Sequence, residues 1–304
     1  MRLFDLHCDT LYECDRQSCE LWENPLDLDV KRGLKGDAFV QVFAAFIPDE
    51  LRGEAAQNHG RRLLRLAVSQ AVKYPALMPI RAGADLDVAA KEHRAGMLLA
   101  VEGGAVLGGS LAMVDELADQ GVKLMTLTWN GENELACGCF SIQNTGLTAF
   151  GKAALRRMGE RGMLADVSHL NEAGFWDVAA VTDGPFLATH SLAAAVHPHP
   201  RNLTDSQFDC IRDRGGLVGL NLCVAHLGEA SFTAFERHLA HFLERDGEDT
   251  VALGCDLDGT ALPPEWPGID TLSLLRGQLL KDGFGRETVE KLFYRNSYEF
   301  FHSL

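Results

Sequence analysis

The sequence lacks a long hydrophobic run, because no stretch approaches the ~18 consecutive apolar residues that a membrane-spanning helix needs. Basic residues are also scarce: 28 Lys and Arg stand against 43 Asp and Glu, and the formal net charge is −15. An acidic surface of this size argues against binding to a nucleic-acid backbone and against anchoring to anionic lipid. The apolar fraction of 46% is typical of a folded globular chain and excludes a disordered one.

Cysteine motifs are absent as well, although the chain of 304 residues contains eight cysteines. None of them forms a C-x-x-C pair, which excludes a zinc ribbon and a thioredoxin-like motif. The first residues, M-R-L-F-D-L-H-C-D-T, carry no apolar segment of the secretory type. We therefore expect a reduced, cytoplasmic protein, since disulfide frameworks belong to small secreted chains.

Short apolar runs alternate with longer amphipathic stretches along the chain, and no linker, charge block or internal repeat interrupts them. The runs lie near residues 2–6, 38–47, 97–101, 123–128, 163–167, 185–189, 216–222 and 251–255. The helical patterns cover 54–74, 111–120, 148–161, 171–181, 204–214, 232–245, 270–281 and 286–301. This alternation predicts a single (β/α)8 barrel of the TIM type over residues 1–304, with closing helices from about 270. A doubly wound open sheet is the alternative.

Polar side chains interrupt the apolar runs at their ends. They are His7, Asp9, Glu102, His169, His190 and Asp256. Residues two apart in a strand share a face, so His7 and Asp9 point to the same side. The carboxyl ends of all barrel strands meet at one face, where the active sites of such barrels lie. We therefore expect the six residues to converge at that face.

Three imidazoles and three carboxylates suit a divalent ion, with zinc as the first choice and manganese as the second. One catalytic ion needs only three protein ligands and a water, so this set is large enough for two ions ~3.5–4 Å apart. Glu102 is the candidate bridge, because a carboxylate has two oxygens. A hydroxide shared by two ions is a nucleophile at neutral pH, and the ions also polarise a carbonyl oxygen.

Each of these residues alone has an ordinary structural explanation. The alternatives are a surface or capping role for His7 and Asp9, a turn position for Glu102, a helix cap for His169, a core histidine for His190, and loop positions in G-C-D-L-D-G for Asp256 and Asp258. Only their joint position at the ends of strands favours a metal site.

Ten short motifs run in order along nearly the whole chain. They are D-L-H-C-D-T at 5–10, V-E-G-G at 101–104, T-L-T at 126–128, G-L-T-A-F-G at 146–151, D-V-S-H at 166–169, A-T-H-S at 188–191, P-R-N-L-T-D at 200–205, G-G-L-V-G-L-N at 215–221, G-C-D-L-D-G at 254–259 and N-S-Y-E-F-F at 296–301. Together they resemble the membrane (renal-type) dipeptidase family of the metal-dependent amidohydrolase superfamily.

The resemblance implies a role for each matching position. His7 and Asp9 resemble the ligands of a first zinc ion, His169 and His190 those of a second, and Glu102 the carboxylate that bridges the two ions. Asp256 resembles the acid/base that handles the proton of the water and of the leaving amine. Arg201 resembles the arginine that binds the terminal carboxylate of the substrate, an anion that a guanidinium fits in a bidentate manner.

One position departs from the family pattern. After T-L-T the family usually carries a histidine that contacts the substrate carbonyl, and this chain has Trp129 there. An indole N–H donates one hydrogen bond but cannot become cationic or exchange a proton. Residues that could take over the contact are Asn130, Asn133, His197 and His199.

The resemblance implies a zinc-dependent dipeptidase that cleaves dipeptides with a free terminal carboxylate, with Arg201 and Trp129 at the substrate. A related amidohydrolase acting on another small amide, a lactam or an N-acyl amino acid is the alternative. A barrel that binds metal but has lost catalysis is the third hypothesis, and only Trp129 favours it. The expected partner is therefore a small molecule, not a nucleic acid or a membrane, and a homodimer stays open.

Overall fold

Eight strands lie at the centre of the computed structural model, which describes residues 1–304. The strands are β1 (Arg2–Cys8), β2 (Ala38–Phe46), β3 (Leu77–Pro79), β4 (Ala95–Glu102), β5 (Val122–Thr126), β6 (Leu164–Asp166), β7 (Val218–Leu220) and β8 (Val251–Leu253). Every pairing is parallel, in the order β6-β5-β4-β2-β1-β8-β7, and β3 pairs with the first residues of β4.

The sixth predicted run closes the sheet, although it is too short to form a regular strand. Leu187 makes a parallel bridge to Asp166 of β6, and Ala188 makes one to Val218 of β7. The sheet therefore curls back on itself, so that the predicted TIM-type barrel is confirmed and the doubly wound sheet is wrong. β3 was not predicted, because its three residues carry no apolar run of their own.

Helices follow the strands and pack around the sheet. They are α1 (Thr10–Gln17), α2 (Val30–Gly33), α3 (Gly53–Lys73), α4 (Gly83–Lys91), α5 (Ala112–Asp119), α6 (Ala149–Glu160), α7 (Glu172–Val181), α8 (Asp205–Asp213), α9 (Val224–Leu227), α10 (Phe232–Leu243), α11 (Thr271–Lys281), α12 (Arg286–Glu290) and α13 (Asn296–His302). Two 3-10 turns (Gly104–Leu107 and Gly268–Asp270) and a π-helical segment (Lys291–Arg295) complete the chain. No helix combines the length and the hydropathy needed to cross a membrane.

Side-chain caps explain where several helices begin. Asn171 accepts a hydrogen bond from the backbone N–H of Gly174 at the start of α7. Thr204 and Gln207 form a reciprocal capping box at the start of α8. The predicted helical patterns at 171–181 and 204–214 thus start at these two caps, and each such cap contributes ~1 kcal/mol.

The interior of the barrel is apolar at one end, and we call this region the floor cluster. Phe4, Val40 and Leu98 belong to it, and the closing helices add Tyr294 and Phe301. The rings of Phe4 and Phe301 stack with their centroids 5.4 Å apart. Because Phe4 lies near the beginning of β1, the closing helices cover the end of the barrel where the strands begin. The other end is left for polar residues.

Candidate metal centre and substrate cavity

The structure brings the six predicted residues together where the strands end. All of them are buried, with exposed fractions from 0% for His7 and His190 to 8% for His169 and Asp256. His7 lies near the end of β1 and Glu102 is the last residue of β4. The convergence follows from the barrel, because parallel strands all finish at the same face.

Glu102 lies between two groups of ligand atoms. Its Oε2 is 3.5 Å from Nε2 of His7, whereas its Oε1 is 3.0 Å from Nε2 of His169 and 3.5 Å from Nε2 of His190. On the other side of His7, Nε2 is 3.8 Å from a carboxylate oxygen of Asp9 and 3.8 Å from one of Asp256. Each oxygen of Glu102 therefore faces a different part of the cluster, as a bridging carboxylate requires.

The donor set fits a divalent metal. Nε2 of His7, Nε2 of His190 and Oδ1 of Asp9 are buried and have no hydrogen-bond partner. A buried polar atom without a partner costs ~1–3 kcal/mol, so three such atoms in one cluster fit a site that binds a ligand. Two sets of three donors have atoms within 4.8 Å of one another: His7, Glu102 and His190, and His7, Asp9 and Asp256. Nitrogen and oxygen donors at this spacing suit zinc or another divalent ion.

Hydrogen bonds to the far ring nitrogens orient two of the histidines. Nδ1 of His169 lies 2.9 Å from the side-chain oxygen of Asn130, and Nδ1 of His190 lies 2.9 Å from the hydroxyl of Thr189. Both rings consequently present Nε2 to Glu102. Polar contacts of this kind hold metal-binding histidines in one tautomer and one orientation.

Two buried aspartates support the cluster from below, and sequence analysis missed both. Asp166 accepts hydrogen bonds from the hydroxyls of Thr126 and Thr189 and from the backbone N–H groups of Ser168 and Thr189. It thereby ties together the segments that carry His169 and His190. The available signal was a carboxylate inside an apolar run.

Asp5 plays the same part on the other side of the barrel. Its carboxylate accepts hydrogen bonds from the backbone N–H groups of His7 and Cys255 and from the side-chain amide of Gln41. The backbone beside Asp256 is thus held against the strand that carries His7. Both aspartates are fully buried, so their hydrogen bonds fix the positions of the strand ends.

The backbone is strained where it delivers two of the six side chains. His169 has a φ of 69° and Asp256 a φ of 61°, a left-handed conformation that is uncommon for residues other than glycine. Such conformations persist where the surrounding structure imposes them, and they cluster at functional sites. A side chain at Gly259 would place its Cβ 2.3 Å from oxygens of both Asp9 and Asp256, so only glycine fits there.

Asp256 and Asp258 differ in what their carboxylates contact. Asp258 accepts hydrogen bonds from the hydroxyl of Thr10 and the backbone N–H of Asp27, which ties its loop to the start of α1 and to the loop before α2. The carboxylate of Asp256 faces His7 instead. A loop position therefore explains the side chain of Asp258 but not that of Asp256.

The buried carboxylates have opposite electrostatic environments. Burial raises the pKa of Asp256 to about 8; the charge of His7 opposes this shift, and those of Asp9 and Glu102 add to it. Burial also acts to raise the pKa of Glu102, but His7 and His169 outweigh it and hold that pKa well below its usual range. Burial, with the charge of His7, lowers the pKa of His190, which leaves a neutral ring as metal ligation requires. The cluster thus separates an ionised carboxylate from one that readily holds a proton.

A polar cavity of about 600 Å³ opens beside the cluster and contains His169, His199 and Arg201. Arg201 is only 4% exposed, yet no carboxylate lies within ion-pairing distance of it. One of its terminal nitrogens donates to the backbone carbonyl of His190 at 3.3 Å, and its buried Nε has no partner. A buried, unpaired guanidinium is costly, and an anionic ligand would offset this cost.

Trp129 lies outside this cavity, between Phe46 and His169. Its ring centroid is 5.1 Å from that of Phe46 and 6.3 Å from that of His169. Asn130, one possible replacement for the family histidine, is engaged by His169. His199 lines the cavity, and its Nδ1 accepts the backbone N–H of Arg201.

The other two possible replacements are engaged elsewhere. Asn133 donates to the backbone carbonyl of Leu127 and accepts from the backbone N–H of Leu135. His197 packs against Gly228, where an added Cβ would lie 2.6 Å from its ring. Neither residue lines the cavity, so His199 is the only one of the four that does.

A family model matches residues 1–303 and describes the membrane dipeptidases of peptidase family M19. The chain belongs to this family. A metallopeptidase from Rhodobacter sphaeroides, solved with a phosphinate mimic of the dipeptide L-Ala-D-Ala, is 26% identical, with a TM-score of 0.92 over 98% of each chain. A second metallopeptidase, dipeptidase AC of family M19, is 27% identical with a TM-score of 0.92, over 98% of this chain and 97% of its own.

Among curated sequences, a Klebsiella pneumoniae protein described as uncharacterised and located in the pqqA 5′ region is 34% identical over 226 residues. The match covers 70% of this chain and 83% of that relative. Family membership and the two metallopeptidase structures identify this M19 protein as a metal-dependent dipeptidase, a hydrolase of peptide bonds. They confirm the predicted family and enzyme class.

Proposed function

We propose that this protein uses two zinc ions to hydrolyse dipeptides that have a free C-terminal carboxylate. The proposal rests on the environment of Arg201. Its guanidinium is buried without an acidic partner and lines the same cavity as His169. A dipeptide places its terminal carboxylate a few bonds from its single peptide bond. One molecule could therefore reach Arg201 and the polar cluster together.

His7, Asp9 and Glu102 would hold the first ion, and Glu102, His169 and His190 the second. The spacing around Glu102 supports this assignment, because its two oxygens face different histidines. When bound, the two ions supply Lewis acidity toward the peptide carbonyl and lower the pKa of the attacking water. Three imidazole donors favour zinc over harder ions such as magnesium.

Asp256 is the proposed general base and general acid. Its Oδ1 faces His7, and burial raises the pKa of its carboxyl group, which makes the carboxylate a stronger base than one in water. It would accept a proton from the attacking water and return it to the nitrogen of the leaving amine. Such assistance contributes ~10²–10⁴-fold to the rate of comparable reactions.

An N-acyl amino acid is the second candidate substrate, because it also carries a carboxylate for Arg201. The two candidates differ at the other end, where only a dipeptide has a free ammonium group. The dipeptide-mimic complex of the Rhodobacter sphaeroides relative favours the dipeptide.

The test is the release of alanine by the zinc-loaded protein from Ala–Ala, from its C-terminal amide and from N-acetyl-alanine. We expect hydrolysis of Ala–Ala and a kcat/KM ~10–100-fold lower for the amide, the loss expected when a charge-assisted hydrogen bond is removed. Equal rates on Ala–Ala and its amide would contradict the role of Arg201. Faster hydrolysis of N-acetyl-alanine than of Ala–Ala would favour the alternative substrate.

A further inference from the structure

Three partly buried aromatic residues lie beside the metal centre, and the proposed chemistry uses none of them. Tyr12 packs edge-to-face on Phe46 with ring centroids 5.1 Å apart, and Phe46 packs in the same way on Trp129, also at 5.1 Å. Trp129 then contacts the ring of His169 at 6.3 Å. We call Tyr12, Phe46 and Trp129 the aromatic row.

Phe46 points to the same side of the sheet as the metal centre. It is paired with Glu102 across β2 and β4. It also continues the alternation of Val42 and Ala44, which face the barrel interior in the floor cluster. Phe46 is therefore the interior-facing residue at the end of β2, beside the candidate bridging carboxylate.

Most of the aromatic row lies away from the polar cavity. None of the three aromatic residues lines the cavity, which is formed by residues that follow β5, β6 and the bridge segment 187–188. Tyr12 instead follows β1 and Phe46 is the last residue of β2, whereas Trp129 follows β5 and connects them to His169. A dipeptide bound to Arg201 by its carboxylate, with its peptide bond at the cluster, must extend its N-terminal residue away from the cavity. That direction leads toward the aromatic row.

We propose that the aromatic row binds the side chain of the N-terminal residue and selects dipeptides in which this residue is large and apolar. The inference rests on the proposed dipeptidase function and adds a substrate class to it. An apolar side chain that packs against partly exposed aromatic rings removes apolar surface of both partners from water. Burial of a leucine-sized group in this way is worth ~10–100-fold in binding. In this role Trp129 binds an apolar group, which does not require a side chain that exchanges protons.

Two ratios of kcat/KM, measured on the zinc-loaded protein, test the proposal. The first compares Leu–Ala with Ala–Ala and reports on the N-terminal residue; the second compares Ala–Leu with Ala–Ala and reports on the C-terminal residue. We expect the first ratio to be ~10–100 in the parent protein. It should fall at least ~5-fold in both Phe46→Ala and Trp129→Ala, whereas the second ratio should stay within ~2-fold of its parent value.

Phe140→Ala is the matched control, because Phe140 is a half-exposed phenyl ring that contacts His199 beside the cavity. This variant should leave the first ratio unchanged. Phe46→Leu, which keeps an apolar side chain, should lie between the parent and Phe46→Ala. Zinc content and circular dichroism show whether each variant folds. If Phe46→Ala does not fold, the ratio is measured in Trp129→Ala, because Trp129 lies in a loop.

A first ratio near 1 in the parent, or one that survives both Phe46→Ala and Trp129→Ala, would overturn the inference while leaving the dipeptidase function intact. A fall in the second ratio instead of the first would also overturn it, because the row would then contact the C-terminal residue. If the parent hydrolyses none of the three dipeptides, the proposed function fails, and the inference fails with it.

Discussion

The two ends of the barrel interior use the same strands for opposite purposes. β1 contributes Phe4 to the floor cluster and His7 to the metal centre, and β4 contributes Leu98 and Glu102 in the same way. At the floor, the cluster consists of buried apolar and aromatic side chains, and the rings of Phe4 and Phe301 stack. At the metal centre, buried imidazole and carboxylate atoms lack partners. The floor therefore stabilises the fold, whereas the metal centre places buried polar groups where they serve ligand binding at a cost in stability.

Asp256→Asn should have the largest effect at the polar end. The substitution keeps the shape of the side chain but removes the basic site, so kcat should fall ~10²–10⁴-fold with Ala–Ala as substrate. Zinc content, measured by mass spectrometry, should be retained, because five candidate ligands remain. Asp258→Asn is the matched control: its carboxylate ties loops together, and most of the activity should survive. Full activity in Asp256→Asn would end its catalytic assignment, and loss of both ions would make it a ligand.

Phe4→Ala should destabilise the fold through the floor cluster at the other end of the barrel. Phe4 is fully buried and stacks on Phe301, so the free energy of unfolding should fall by ~3–5 kcal/mol in urea denaturation. Zinc content and the KM of the folded fraction should not change. Phe140→Ala, which removes a half-exposed ring, should cost less than ~1 kcal/mol. An equal loss of stability in the two variants would show that the floor cluster is not the stabilising region.

Arg201→Ala separates substrate binding from metal binding at the polar end, because Arg201 is proposed to bind substrate but not metal. KM for Ala–Ala should rise ~10–100-fold, and zinc content should stay the same. Arg214→Ala is the control: Arg214 donates to backbone carbonyls of Thr182 and Ala179 and takes no part in the site. An unchanged KM in Arg201→Ala would remove the proposed carboxylate contact.

A further prediction concerns the pH dependence of stability in the metal-free protein. The pKa of Asp256 is about 8 in the fold and ~3.9 in an unfolded chain, so the folded state retains a proton that the unfolded state loses. This contribution to stability is fully present below pH ~3.9 and is lost as the pH rises toward 8. Relative to the parent, Asp256→Asn should therefore become more stable as the pH is raised from 4 to 8 in urea denaturation. A constant difference between the two proteins across this range would contradict the raised pKa.

The alternation of runs predicted most of the barrel, and the polar residues at the run ends predicted the six residues that converge. This worked because parallel strands finish at one face whatever their spacing in sequence. The helices α1 and α4 were not predicted. For α1 the reason is that it directly follows Asp9 and has a largely polar sequence. The sixth run was found by composition, although it forms only single bridges.

Contacts between distant parts of the chain could not be predicted. Asp5 and Asp166 lie inside apolar runs, and only the fold shows which backbone N–H groups each of them satisfies. The stacking of Phe301 on Phe4 joins the two ends of the sequence. The aromatic row likewise draws on three separate elements, and no spacing rule connects residues 12, 46 and 129.

If the polar end of the barrel holds two ions that share Glu102, as we propose, a count of the bound ions will show it. The protein is purified, stripped with a chelator, reloaded with zinc and analysed by mass spectrometry alongside Glu102→Ala. We expect two zinc ions for each chain in the parent and fewer than one in Glu102→Ala. One ion in the parent, or two ions retained in Glu102→Ala, would contradict it.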